Sequence, residues 1–471
     1  MLVGVVTRRE DLMRWQLLMR SLGALVVAVT CAGAVLSSQQ PPAPAVVHAP
    51  SPFLAPTDQV VAIRAGRLFD ARAGRMLTNQ VVLVRGERIA EVGPSVQIPS
   101  TARVIDLSRA TVLPGMIDAH VHIIGQAGQS LPARTLAAVE IARKGLYNGF
   151  TTLVDLNNRD NYATIDVRNA INAGLVQGPR LQVSGPAVNP RASQPVAGPS
   201  DPWDNGIDPY NVTGPWMARK AVRERKWYGA DWVKIYGTMD FLGTERRVFK
   251  ADNTMINSPS LTFEEIQAIV DEAHRLGLKV ACHAYGGEGL RSCINAGVDL
   301  PMHGPELEDE SVKVLVQKKL PMMYTIEDLV GLDAGDKTIT GGKTSRLDLT
   351  VNSFKKTLKA CVPAPFGSGA TSGGQFPVGL QARQFEYMVK WGMTPAQALQ
   401  TAMTVAADVL NYGWADRVGS LESGKYADII AVAGDPLVDV KEMERVKFVM
   451  KGGLVVRNDL QAPSPTTSTQ R

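Results

Sequence analysis

Cysteine is scarce. The 471-residue chain has four, Cys31, Cys282, Cys293 and Cys361, and no CxxC pair. That excludes a disulfide framework and the usual paired-cysteine zinc spacing. The three cysteines after residue 31 read as buried thiols, with one pair at most. Strong charge is also missing. The net charge is +5 and the basic residues are scattered, which excludes a nucleic-acid footprint. A phosphate loop is absent too. "TGGKTS", around Lys343, would need a glycine at position 337 to be a nucleotide loop, and that residue is Lys337. "FGSGATSGG", Phe366 to Gly374, lacks the Lys-Ser/Thr that would have to follow. Histidine is rare, with six in the chain.

What is present begins with an export signal. Arg8, Arg9, Arg14 and Arg20 precede the apolar run "LGALVVAVTCAGAVL", Leu22 to Leu36. A basic start, a short apolar core and small residues after it describe a secretory leader. The run is shorter than the roughly 20 residues of a spanning helix, although an uncleaved anchor is the alternative. Residues 1–34 are therefore expected to be the signal, with cleavage between 34 and 45, and the mature protein to be periplasmic or extracellular with no stable membrane span. A Pro-rich linker over 35–57 and a polar tail over 460–471 complete the ends.

Between them lie two textures. "VVAIRAGRLFD", "QVVLVRGERIAEVG" and "ARVIDL" are short, β-branched and separated by turns. The same texture returns in "GSLESGKYADIIAVAGD" and "VKFVMKGGLVVRND". Segments 58–115 and 415–459 are thus expected to build one small β-sandwich from both chain ends. The middle, 116–414, alternates strands with helices. "ADWVKIYG" precedes "TFEEIQAIVDEAHRLG", and "KVACHAYG" precedes "GLRSCINAG". "PMMYTIEDLV" and "KACVPAPFGSG" are later strand candidates. "TPAQALQTAMTVAADVL" predicts one amphipathic helix with Thr394 as N-cap and Pro395 at its first position. This many βα units predict an α/β fold, a (β/α)8 TIM-like barrel, whose chemistry sits at the C-terminal strand ends.

Four of the six histidines fall at such ends. "PGMIDAHVH" carries His120 and His122, two residues apart on a strand and so on one side. Such a pair can hold a divalent metal. His283 in "VACHAYG" and His303 in "GVDLPMHG" end two later units. Lys234 in "DWVKIYG" alternates with Val233 and Ile235, so it points to the opposite face from them. A buried lysine has a lowered pKa, and its neutral amine can add carbon dioxide to become a carbamate able to bridge two metals. The helical His274 is expected to face solvent, and His48 lies in the linker.

The order HxH, Lys, His, His resembles the amidohydrolase superfamily, in its imidazolonepropionase-like and Xaa-Pro dipeptidase-like branch. "LPGMIDAHVH", "GFTTLVDL", "GADWVKIYG", "EAHRLGLKVACHAYG", "GMTPAQALQTAM", "GSLESGKYADIIAV" and "VMKGG" carry the resemblance over nearly everything after the linker. It implies two divalent metals, usually zinc. His120 and His122 would hold one, His283 and His303 the other, and carboxylated Lys234 would bridge them. Tyr285 could reach the substrate or its oxyanion. The substrates implied are dipeptides, N-acyl amino acids or cyclic amides, and a homo-oligomer is expected.

The same branch has an aspartate in a pattern resembling F-G-T-D-A-G, then a loop with F-P-H-G. Here the aspartate position is Gly369 and the loop histidine position is Val378. Glycine can neither bind metal nor move a proton, a contribution worth roughly 10²- to 10⁴-fold. The neighbours Ser368 and Thr371 could hydrogen-bond a water. Asp328 and Glu306 are the carboxylates that could stand in. Two functions follow: a metal-dependent hydrolase of C–N bonds, or a catalytically impaired binding protein on the same frame. The irregular stretch 189–214 reads as a lid.

Overall fold

The computed structural model describes residues 51–124, 130–158, 162–190, 211–238, 249–373 and 376–460. The side chains of residues 190, 211 and 328 are not described. The signal, the linker up to residue 50, residues 191–210 of the expected lid and the tail after residue 460 lie outside these residues. No helix among the described residues is long and apolar enough to cross a membrane.

The two chain ends form one sheet. Strands β1 (Val60–Asp70), β2 (Arg75–Arg85), β3 (Arg88–Gly93) and β4 (Arg103–Pro114) come from the first end. β13 (Ile429–Val432), β14 (Phe448–Lys451) and β15 (Leu454–Asn458) come from the other. Their order is β15-β14-β13-β4-β1-β2-β3. The expected sandwich is therefore, in hydrogen bonding, one continuous seven-stranded sheet. The join is β4, longer than the "ARVIDL" signal suggested. It pairs parallel with β1 and antiparallel with β13, with Ile429 opposite Pro114. Val61, Ile63, Val82, Val84, Ile105, Ile429 and Phe448 fill one core against it.

Next come two three-stranded parallel sheets. One contains β5 (Met116–Val121), β6 (Phe150–Asp155) and β7 (Arg180–Val183). The other contains β10 (Trp232–Tyr236), β11 (Lys279–Gly286) and β12 (Leu300–Glu306). A two-residue pair, β8 (Asn189–Pro190) and β9 (Asn211–Val212), lies between them in sequence. β5, β6, β7 and β10 are buried at every position, as expected of parallel strands covered on both faces. Parallel bridges extend the pairing. Val188 pairs with Ile235, Met302 with Met323, Tyr324 with Phe366, and Ala370 with Val121.

Helices between the strands follow their sequence signals. Thr262 caps Phe263–Arg275 in a capping box with Glu265. Thr394 does the same with Gln397 for Pro395–Thr401, and Pro395 occupies the first position. The expected single helix there is in fact two, Pro395–Thr401 and Thr404–Val409. The backbone N–H groups of Phe366 and Ile117 bond to the carbonyls of Thr401 and Ala402 at 2.9 and 2.8 Å. Strand pairing takes carbonyls that a continuous helix would use, and the helix breaks at Met403.

The cysteines need one correction. Cys282 and Cys293 are joined as a disulfide. Cys361, expected to be a buried thiol, is free and exposed. It follows the helix Arg346–Lys359 at a left-handed backbone position, where the chain turns on the surface.

Candidate active site

The paired strands β11 and β12, strand β5 of the other parallel sheet, and one lysine supply the site. Asp118 and His120 lie on β5, and His122 immediately follows it. Lys234 lies on β10, His283 and Tyr285 on β11, and His303 on β12. The register puts Tyr236, two residues after Lys234, beside His283, and Ala284 beside His303.

The imidazoles converge. Ring centroids are 4.3 Å apart for His283 and His303, 4.9 Å for His120 and His122, and 5.4 Å for His120 and His303. Tyr236 and Tyr285 flank His283 at 4.9 and 5.0 Å. Lys234 is buried, with its Nζ 3.7 Å from the sulfur of Met302 and 5.5 Å from the Tyr236 ring centre. Burial alone drives the Lys234 amine well below its usual pKa. Burial first, then the nearby Lys234 charge and the other histidines, does the same to His120. For His303 the order is burial, then His283, then Lys234. Neutral imidazoles and a neutral amine are the forms able to donate lone pairs.

Several donors are left open. Both ring nitrogens of His120 and Nε2 of His303 are buried without a hydrogen-bond partner. Buried polar groups are normally paired, so such a concentration points to a missing ligand. The other nitrogen of His303, Nδ1, lies 2.7 Å from the Thr325 hydroxyl, which fixes the ring. His303 itself has a left-handed backbone at φ 74°, a strained conformation for a non-glycine residue of the kind that collects at functional sites. Among the described residues no three His, Cys, Asp or Glu side chains already stand as a ready ligand set. The imidazoles are gathered, and the nitrogen chemistry fits a divalent metal, but their nitrogens do not yet aim at one point.

Gly369 lies at the same place. Its N–H donates to the His120 carbonyl at 2.7 Å. A Cβ added there would stand 3.0 Å from Thr325 Cγ2 and 3.8 Å from His120 Cε1. A side chain at this position would therefore enter among the site residues. Its φ of 69° is left-handed, which glycine adopts freely and aspartate tolerates better than most residues. Val378 is elsewhere. It is buried in the main apolar core, facing Gly145 of the helix Leu131–Tyr147. Of the carboxylates considered as substitutes, Glu306 is engaged with the Met255 N–H and the Asn257 side-chain amide. The side chain of Asp328 lies outside those described.

Residues that sequence reasoning passed over surround this centre. Asp118 is fully buried and accepts from the Ser368 N–H at 3.0 Å, the Ser368 hydroxyl at 2.6 Å and the His120 N–H at 3.1 Å. Burial pushes its carboxyl up to about 7, against the pull of the Ser368 bonds. It ties the Gly369 turn to β5. The two-residue period of "DAHVH" could have found it, since Asp118 precedes His120 by the same step that separates the histidines. Asn157 donates to the Tyr236 hydroxyl at 2.8 Å. Arg346 is held by Asp336 through two bonds of 2.9 Å. No local motif announces these long-range pairs. His274 is exposed, as its helical position suggested, and lies 2.8 Å from Asp299.

The amidohydrolase family model matches residues 111–456, a span that contains every residue of this cluster. The chain belongs to the amidohydrolase family. Ochratoxinase of Aspergillus niger is 27% identical over 448 residues, covering 85% of this chain and 88% of the relative. Imidazolonepropionase of Micrococcus luteus is 24% identical, covering 76% and 88%. A solved Xaa-Pro dipeptidase with methionine bound in its active site is 28% identical, with a TM-score of 0.73 over 85% of this chain and all of that one. These relatives agree with the branch that the motifs resemble, and they are hydrolases acting on C–N bonds.

Proposed function

We propose that this protein is an exported, metal-dependent amidohydrolase that cleaves amide, peptide or cyclic amide C–N bonds in small molecules. The observation carrying this is the gathering of four imidazoles near a buried lysine, with both ring nitrogens of His120 and Nε2 of His303 lacking a hydrogen-bond partner among the described residues. In this reading β5 to β7, β10 to β12 and the bridged segments at Met323–Tyr324 and Phe366–Ala370 close into a (β/α)8 barrel. The chain of parallel bridges returning from Ala370 to Val121 supports closure. The Cys282–Cys293 disulfide supports an oxidising compartment outside the cytosol.

His120 and His122 would hold one divalent cation, zinc by ligand type, and His283 and His303 a second. Lys234, as a carbamate, would add an anionic two-oxygen donor to that set. Such cations polarise a substrate carbonyl and acidify a water. The chain's own residues do the rest. Thr325 holds the His303 ring, Asp118 holds the turn at Gly369, and the Tyr285 ring lies beside His283 and His303, where it would meet substrate.

Gly369 favours a second reading, an impaired enzyme that binds ligands on this frame. Two measurements separate them. Purified protein should contain about two zinc ions per chain and cleave members of a dipeptide and N-acyl amino acid panel. Metal-loaded protein without turnover on that panel would sink the hydrolase reading. Gly369→Asp should then raise the rate by roughly 10²-fold or more if only the proton carrier is missing.

A further inference from the structure

The helix Pro215–Tyr228 is anchored firmly on its inner side. Ala218, Ala221 and Val222 lie in the main apolar core. Arg225 is fully buried and donates to the carbonyls of Pro186, Ala187 and Ala221 at 2.9, 3.1 and 2.9 Å. Arg219 and Arg223 reach the neighbouring helix Phe263–Arg275, where they pair with Asp271 at 3.2 Å and Glu272 at 2.6 Å. At the other end Tyr228 stacks on Tyr162, with ring centres 3.9 Å apart.

This packing leaves the outer ridge unexplained. Trp216 is 85% exposed and Trp227 is 87% exposed. Tryptophan is highly buried on average, so two bare indoles on one helix mark a surface that something covers. The two are eleven residues apart, about three turns, which places both rings on one line of the helix about 17 Å apart. Lys220 and Arg223 stand on the same line between them, and both are exposed. Exposed Lys226 flanks the line on one side, and exposed Met217 and Tyr228 flank it on the other. Glu224 is the one acidic residue of the helix. Lys220 and Lys226 have no ion-pair partner among the described residues. The acids that face the ridge from the neighbouring helix, Asp271 and Glu272, are already engaged by Arg219 and Arg223.

Aromatic ends around a cationic middle select the partner. A second copy packed across this ridge by two-fold symmetry would set the basic middle against itself, and like charges in an interface are costly. An anionic lipid surface meets both features. Indole rings rest at the headgroup boundary with their apolar body inward and the N–H in water. The cations draw acidic headgroups. Rings at one angle enter to one depth, so the helix would lie in the plane of the surface.

We propose that the outer ridge of the helix Pro215–Tyr228 docks the protein on an anionic phospholipid surface. Trp216 and Trp227 are the anchors, and Lys220 and Lys226 supply the charge that selects acidic headgroups. The proposal stands apart from the hydrolase reading.

The test is co-sedimentation of the purified protein with vesicles of phosphatidylcholine alone and of an equal mixture of phosphatidylcholine and phosphatidylglycerol. The native protein should bind the mixed vesicles about tenfold or more tightly than the neutral ones, and added salt should shrink the gap. Trp216→Ala with Trp227→Ala should weaken binding to the mixed vesicles about tenfold or more. Lys220→Glu with Lys226→Glu should bring the two vesicle types to within about twofold. All four side chains are exposed, so both variants should keep the native melting temperature. Brominated lipid in the mixed vesicles should quench part of the native protein's tryptophan fluorescence, which reads contact without any variant. Absence of binding to the mixed vesicles would overturn the proposal. Binding that both variants leave unchanged would also overturn it and point to the apolar run near the N-terminus. So would a lipid-free dimer in sedimentation velocity that Trp216→Ala with Trp227→Ala dissociates, because the ridge would then belong to a second copy. Amide cleavage enters none of these measurements, so failure here and failure of the hydrolase reading are told apart.

Discussion

Two regions of the molecule bury charge in opposite ways. Where β7 meets the seven-stranded sheet, Arg180 donates to both oxygens of Asp428, at 2.7 and 3.1 Å. Asp428 also accepts the Gly452 N–H at 2.7 Å. The Arg180 guanidinium lies 3.3 Å from the centre of the Tyr426 ring. Nearby Lys425 donates to the carbonyls of Ala415 and Val418. In the site, by contrast, Lys234 faces a methionine sulfur and three imidazole nitrogens of His120 and His303 face nothing. A buried polar group without a partner is costly. The seam meets that cost internally, within the chain. The site leaves it open, which is reasonable where a ligand completes the set. One region holds the fold together, and the other, in the proposed reading, would be stabilised by what it binds.

That contrast can be broken at either end. The largest effect is expected from His120→Ala or Lys234→Met. Either should lower metal content and cut amide cleavage on the order of 10³-fold or more, a fraction of a typical enzymatic enhancement. Metal analysis and initial rates read this. The metal-free melting temperature should stay level or rise, because an unpaired buried group is removed. A large loss of metal-free stability would break the comparison.

At the seam the outcome reverses. Arg180→Met strands the buried Asp428 carboxylate and should cost about 3–5 kcal/mol, as broken buried pairs do. Denaturant unfolding measures it, and zinc content below the melting transition should be unchanged. Next in size, Thr325→Val frees the His303 ring and should weaken metal binding about 10- to 100-fold. Chelator competition would show this, and an unchanged affinity would remove Thr325 from the site.

The smallest effect concerns Lys451, which lies beside the seam. Burial, then Arg180, lowers its amine from 10.5 to about 8. The unfolded chain therefore holds a proton between about pH 8 and 10.5 that the folded one has released, so stability rises with pH across that window. Lys451→Met should raise the melting temperature at pH 7, and the difference should shrink as pH climbs through that window. A difference constant with pH would show that the lysine is not held in the buried state.

Much of this was readable along the chain. The HxH pair, Lys234, His283 and His303, which the structure brings close together, stand out in the sequence because they lie at or near the ends of strand signals and because strands alternate faces. The strands of both ends, the caps at Thr262 and Thr394, and the departure at Gly369 were equally local. The misread elements were those whose state depends on distant partners. The helix after Pro395 breaks because β5 and Phe366 take its carbonyls. Cys361 surfaces because the chain turns there. Asp118 was in view, but its role was not, since Ser368 lies 250 residues away.

The sequence by itself therefore determined the family, the histidines and lysine at the strand ends and the glycine at position 369, because residue identity and two-residue alternation are local properties. Only the tertiary structure decided which of those donors remain unpaired, that Val378 faces a helix while Gly369 faces the rings, and that Trp216 and Trp227 stand outside the packing. Those are facts of burial and long-range pairing, and the free energy of a buried polar group depends on neighbours that the chain brings in from far along its length.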